Sequence, residues 1–313
     1  MTLDALINDA HCHFFSPQFF AALARQRGLP RAESRGRTPA QSPADVCREL
    51  QWDDPGTPEA LADRWIEELD AHGVARAALI ASVPGDEDSI ATAVARHPSR
   101  IVGFFMVDPS AADAIERVRR GITDLGLRGV CLFPAMHHVG LGDARVTRIV
   151  EIVAAQPGVA VFVHCGVLSV GVRPKLGLPS RFDLRLGNPL DVSRLALTFP
   201  SVPFIVPHFG AGMLREALMA ADVCRNIHLD TSSSNSWIRY TPGLTLEAVF
   251  TSTLSVVGAS RLLFGTDSSC FPRGWQRGVH ETQKQIVTEA GASAADAALI
   301  FGGNFDRLFP HEV

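Results

Sequence analysis

Asp9-Ala10-His11-Cys12-His13 closes the apolar run that begins at Leu3, and its reading decides how the remaining chain is understood. In a strand, successive side chains point to opposite faces, so His11 and His13 project to one side and Cys12 to the other. Two imidazoles one above the other make a claw for a metal ion. Three later apolar runs end on residues suited to the same site: residues 159–163 on His164, 204–207 on His208 and 261–266 on Asp267.

Working outward, apolar runs with β-branched or aromatic content predict eight strands, at residues 3–8, 75–82, 101–107, 127–133, 159–164, 202–207, 226–231 and 261–265. Helical spacing falls between them at residues 58–72, 111–125, 143–155, 188–199, 213–224, 244–257 and 275–290. The first of these carries Leu61, Trp65, Ile66 and Leu69 on one face and stops at Gly73. Alternation of this length predicts a single (β/α)8 barrel, a TIM barrel, spanning residues 1–313. A doubly wound open sheet is the rival, but the first strand-to-helix turn has neither G-x-G-x-x-G nor a P-loop to cradle phosphate.

Two connections are too long to be plain. Residues 14–57 form a long insertion after strand 1, rich in Pro, Arg, Ser and Gly, with an irregular loop over 30–43; residues 166–187 follow strand 5. Both leave the C-terminal ends of strands, where barrel enzymes build their sites, so a lid or pocket wall is expected of the insertion.

Composition narrows the function. A length of 313 residues with 46% hydrophobic content supplies a large core, and the net charge of −4 is interspersed, without a basic run. Neither nucleic acid nor a membrane surface is therefore an expected partner; a small-molecule substrate is. The N-terminus lacks signal-peptide features and no stretch reaches membrane-span length, so a cytoplasmic location is expected. Six cysteines without C-x-x-C predict reduced, mostly buried thiols.

In a barrel, His11, His13, His164, His208 and Asp267 converge at the mouth. Three imidazoles and a carboxylate suit one divalent ion, Zn2+ first, with Mn2+, Fe2+ or Co2+ as alternatives, leaving a position open for water or substrate. The arrangement resembles the amidohydrolase superfamily, in the branch holding aminocarboxymuconate-semialdehyde decarboxylase, resorcylate-type decarboxylases and lactone hydrolases. The motifs that carry the likeness are Asp-Ala-His-Cys-His, Val-His-Cys-Gly from Val163, Gly187-Asn188-Pro189 with Phe199-Pro200, Pro-His-Phe-Gly from Pro207, Phe-Gly-Thr-Asp from Phe264, and Gly302-Gly303-Asn304 with Arg307-Leu308. The resemblance implies His11, His13, His164 and Asp267 as ligands of the metal, His208 as the adjacent catalytic histidine, and a homodimer. Binuclear relatives carry a carboxylated lysine on strand 4; residues 128–133 here contain no Lys, which points to one metal.

Such a site predicts a metal-dependent hydrolase using activated water on a small carboxylated cyclic ester or amide, lactone-like in kind. Asp267 would take the water's proton and return it to the leaving group, while His208 would polarise the carbonyl or stabilise the oxyanion. The same ligands also permit nonoxidative decarboxylation of an aromatic or muconate-type acid. Ser268-Ser269 departs from the Tyr-Pro or Trp-Pro that the resemblance would place after Asp267, so that loop favours neither. A barrel that only binds ligand is a third reading, opposed by the intact acid-base pair. Arg173, Arg181 and Arg273, with Lys175 and Arg185, are candidate clamps for a substrate carboxylate, and His137 is a candidate rim contact.

Overall fold

The computed structural model describes residues 6–28 and 42–311. Among them lie eight parallel strands in sequential order: β1 Ile7–Phe14, β2 Val74–Ala81, β3 Ile101–Val107, β4 Gly129–Leu132, β5 Ala160–Val163, β6 Phe204–Val206, β7 Ile227–Asp230 and β8 Leu262–Leu263. The ring closes between β8 and β1 through Ala10 N–H to Phe264 O (2.8 Å), Asp267 N–H to His11 O (2.8 Å) and His13 N–H to Ser268 O (2.7 Å). The architecture is the (β/α)8 barrel that the sequence predicts.

Strands covered on both faces read as unbroken apolar runs, and β3 is buried at every position. Alternate residues feed two cores. Ile80, Val102, Phe104, Met106, Phe162 and Ile205 fill the barrel, whereas Leu79, Ile101, Phe105, Val161 and Phe204 pack beneath the helices. β1 is the informative exception. Its register advances from Asp9 opposite Ala77 to Cys12 opposite Leu79, three residues against two. That extra residue is a β-bulge, and it switches which parity faces inward. Ala10 lies in the interior core, yet Cys12 and Phe14 lie in the outer one, and His11 and His13 are left facing the barrel axis. The strand reaches Phe14, so the histidines sit within it; residues 3–5 of the expected strand fall outside the described residues.

All seven expected helices form, each within a few residues of the expected limits. An eighth, Glu87–Arg96 between β2 and β3, was not expected. Its apolar side is small, with Ile90 and Ala93 as its buried apolar residues, so the periodic signal is faint. The insertion after β1 contains helices Pro17–Gly28 and Pro43–Leu50, which the sequence does not predict, while most of the expected irregular loop, residues 30–41, lies outside the described residues. These helices and the β5 loop share a core of their own, in which Phe19, Leu23, Val46 and Leu50 meet Val172 and Leu176.

Ser16 fastens the insertion to the barrel. Its Oγ caps helix Pro17–Gly28, accepting from the Gln18 and Phe19 amides at 3.0 and 3.2 Å, and donates to Asp86 Oδ2 at 2.6 Å. Burial pushes the Asp86 carboxyl up to about 6 despite that hydrogen bond. A folded value above the unfolded one means this group favours folding below the unfolded value, and loses that contribution as pH rises through about 6. Asp86→Asn keeps an acceptor for Ser16 and removes the charge. At pH 7.5 the variant is expected to be more stable than the parent by about 1–2 kcal/mol, with the gap closing toward pH 4. Paired urea titrations at the two pH values check this; a gap that widens at acid pH would refute the assignment.

Candidate functional site

The bulged strand β1 brings His11 and His13 to the mouth, and the turn after β8 brings Asp267 to meet them. His13 Nε2 lies 3.0 Å and His11 Nε2 3.7 Å from Asp267 Oδ1. Asp267 holds φ at 60°, a left-handed conformation that Asp tolerates better than most residues. His11 is 2% exposed, His13 17% and Asp267 33%, so the cluster opens to solvent on the His13 and Asp267 side.

The remaining nitrogens define the tautomers. Asp230 Oδ2 lies 2.7 Å from His11 Nδ1. Burial pushes the Asp230 carboxyl up, but His11 and the Ser232 contacts outweigh it and hold the group below its ordinary value. An ionised carboxylate only accepts, so His11 Nδ1 carries a hydrogen; burial disfavours charging the ring, but Asp230 and Asp267 outweigh it and raise its basicity, and Nε2 is the nitrogen left to face Asp267. Ser82 performs the same service for His13. Its Oγ–H donates to Ile80 O at 2.9 Å, so at 2.7 Å from His13 Nδ1 the oxygen accepts. The two Nε2 atoms and a carboxylate oxygen thus face one another.

That donor set fits a divalent ion, with Asp230 and Ser82 orienting the imidazoles from behind. A second group of close donors, His11, His208 and Asp230, reflects this backing hydrogen bond.

Burial works against charging His13, although Asp267 favours it, and the net shift is downward. For Asp267 burial raises the carboxyl, but His13 and His11 prevail and hold it well below the carboxylate range.

His164 and His208 stand beside the cluster. The His208 ring centre is 5.0 Å from that of His11 and 5.4 Å from that of His164, which stacks on Phe133 at 5.3 Å. His164 Nδ1 is buried without a hydrogen-bond partner among the described residues, and burial drives the ring well below its ordinary value. An unpartnered buried imidazole lacks the support a purely structural histidine normally finds. His208 sits at φ 54° on the Pro207–Gly210 turn, with Nδ1 turned to Ser232. The structure therefore brings the five expected residues to one end of the barrel, with donor atoms of His11, His13 and Asp267 within 4.8 Å of one another.

The expected substrate contacts are placed less uniformly. Arg173 is tied down: Nη2 donates to Pro179 O at 2.6 Å and Nη1 to Gln26 Oε1 at 2.7 Å, binding the β5 loop to the insertion. Arg185 pairs with Asp183. Arg181 is exposed, and its carbonyl accepts from His138. Arg273 is exposed and donates to Ser269 Oγ at 2.6 Å, near enough to His13 to disfavour its charged form. His137 is half-buried, and burial lowers its basicity. The insertion adds Phe15, whose ring lies 5.6 Å from His13 and stacks on Phe19 and near Trp52.

Sequence reading missed the residues behind the ligands. Asp9 accepts from Thr266 Oγ1 (2.6 Å), Trp275 Nε1 (2.7 Å) and the His11 amide (2.9 Å), tying β1 to the segment that follows β8. Its place two residues before His11 was the available signal for Asp9; for Asp230 and Ser82 no local pattern existed.

The sequence matches the family model described as Amidohydrolase over residues 8–310. No curated protein matches. Among solved structures, a 5-carboxyvanillate decarboxylase from Novosphingobium aromaticivorans, with manganese and 3-methoxy-4-hydroxy-5-nitrobenzoic acid bound, is 16% identical, with 98% of this chain and 97% of that chain covered and a TM-score of 0.61. A probable 2-pyrone-4,6-dicarboxylic acid hydrolase from Acinetobacter baumannii, with citric acid bound, is 15% identical, with 97% and 98% covered and a TM-score of 0.59. An amidohydrolase from Burkholderia multivorans with bound zinc is 17% identical, with 98% and 100% covered and a TM-score of 0.59. At these identities the likeness shows the fold. Among the described residues no helix is long and apolar enough to cross a membrane.

Proposed function

Because this chain belongs to the amidohydrolase family of metal-dependent enzymes, we propose that it hydrolyses a small carboxylated cyclic ester or amide, lactone-like in kind, at a single metal ion. One observation carries the reading: the Nε2 atoms of His11 and His13 converge on Asp267 Oδ1, while both Nδ1 atoms are committed elsewhere. His11, His13, His164 and Asp267 would hold the ion, zinc being favoured by the imidazole-rich set. When bound, such an ion supplies the Lewis acidity that makes water a nucleophile near neutral pH.

The chain's own groups account for the proton traffic. Asp267, ionised and a third exposed, takes a proton as water oxygen bonds to the carbonyl carbon. The ring C–O or C–N bond then breaks, and the proton passes from Asp267 to the leaving atom. For His208 we read an accepting role in place of the oxyanion contact that the sequence suggests. Stabilising an oxyanion calls for a donor at Nε2, but the hydrogen bond to the Ser232 carbonyl puts the donor at Nδ1. Neutral His208 therefore offers a lone pair at Nε2, suited to accepting a hydrogen from the attacking water and orienting it.

For the substrate, Phe15 and Trp52 of the insertion supply an aromatic wall beside His13, and Arg273 is the cation best situated to grip a carboxylate. Arg181 and His137 remain candidate rim contacts. Arg173, anchored within its loop, serves the pocket wall.

Elemental analysis of zinc-loaded protein should find about one metal per chain, and two tightly held ions would overturn the single-metal reading. A panel of lactones, amides and hydroxybenzoates then tests the chemistry. Acid release without gas supports hydrolysis; carbon dioxide released from a hydroxybenzoate would replace it with nonoxidative decarboxylation.

A further inference from the structure

Ser232, immediately after Thr231 at the end of β7, is fully buried and touches both halves of the site. Its Oγ lies 2.8 Å from His208 Nδ1 and 2.9 Å from His11 Nδ1. Its carbonyl lies 3.2 Å from His208 Nδ1, and its amide donates to Asp230 Oδ1 at 2.6 Å. Donor counting assigns the protons. A carbonyl can only accept, so the hydrogen on His208 sits at Nδ1; the Asp230 carboxylate can only accept, so the hydrogen on His11 also sits at Nδ1. The hydroxyl oxygen therefore receives a hydrogen bond from His208, and its own hydrogen is left for the Asp230 carboxylate, which a Ser232 side-chain hydrogen bond helps to keep ionised.

We infer that Ser232 is a positioning residue that holds His208 with its lone pair at Nε2, linking that imidazole through the hydroxyl to the Asp230 carboxylate that also orients His11. His11 has Asp230 directly at 2.7 Å and does not depend on the hydroxyl. His208 does: without Oγ it keeps only the longer contact to the carbonyl, and the ring is free to flip or to exchange tautomers. The hydroxyl thus acts on the proton-handling histidine while leaving the metal claw intact. The kinetic part of this inference rests on the proposed hydrolysis; the tautomer does not.

The test uses the full-length zinc-loaded protein labelled with 15N-histidine. Long-range 1H–15N correlation, with the His208 signal identified by its loss in His208→Asn, should show the Nδ1–H form in the parent chain. Ser232→Ala should add a population of the Nε2–H form while zinc stays at about one per chain. With a hydrolysed substrate in hand, Ser232→Ala should lower kcat about 10- to 100-fold with KM within about twofold, and should cost less than about twofold in the His208→Asn background. An Nε2–H form in the parent protein overturns the inference, as does zinc loss in Ser232→Ala or an equal kcat loss in both backgrounds. Should no substrate be hydrolysed, the spectra still decide the tautomer, and only the function reading falls.

Discussion

Asp267→Asn is expected to abolish turnover, lowering kcat by about a thousandfold or more, without unfolding the chain. The amide keeps an oxygen for the cluster but cannot take up a proton, so the step assigned to the carboxylate has no acceptor. It also cannot supply the charge that balances a divalent ion, so zinc affinity should fall. The fold should persist because the position has φ 60°, and Asn tolerates the left-handed region as readily as Asp. The backbone bond from Asp267 N–H to His11 O, which helps close the barrel, is untouched by the change. Paired measurements of kcat and thermal midpoint check this. Activity within tenfold of the parent would remove Asp267 from the mechanism.

The second large effect concerns a residue with no chemistry of its own. Gly166 follows His164 by two positions, holds φ at 69°, and packs against the turn that carries His208. A Cβ at Gly166 would stand 2.2 Å from Gly210 O and 2.4 Å from Ala211 O. These are backbone atoms, so relief requires the β5 and β6 turns to part. Gly166→Ala should therefore cost about 3–5 kcal/mol, combining overpacking with the left-handed backbone penalty, and should lower the midpoint by roughly 5–10 °C. Because the same separation displaces His164 and His208, kcat should fall too, by more than the lost stability alone explains. Gly171, in the same loop with φ −58° and open space where a Cβ would go, is the control. Gly171→Ala should leave midpoint and kcat near the parent values; equal behaviour of the two variants would refute the clash.

The barrel was legible because both faces of its strands are buried. Residues 101–107 and 159–163 read as apolar runs with no polar interruption, a pattern that short local windows capture. Motif residues were legible for a related reason: each ends such a run, and a strand end in this architecture is a place at the mouth. The helix Glu87–Arg96 escaped because alanines line much of its buried side, and the helices Pro17–Gly28 and Pro43–Leu50 escaped because their apolar partners, Val172 and Leu176, arrive from over a hundred residues away. Which role His208 can take turns on the nitrogen that carries its proton, and its Nδ1 partner, Ser232, lies in another strand's loop with no local pattern to announce it.

From the sequence alone came the order of strands and helices and the five side chains bound for one rim, since periodicity and chain direction are local properties. Tertiary structure alone decided which nitrogen of each imidazole is free, because that depends on Asp230, Ser82 and Ser232, whose hydrogen bonds cross between strands. It also decided that His11 and His13 face inward: one extra residue in β1 relative to β2 reverses the parity, and a register is a relation between two strands, written in neither by itself.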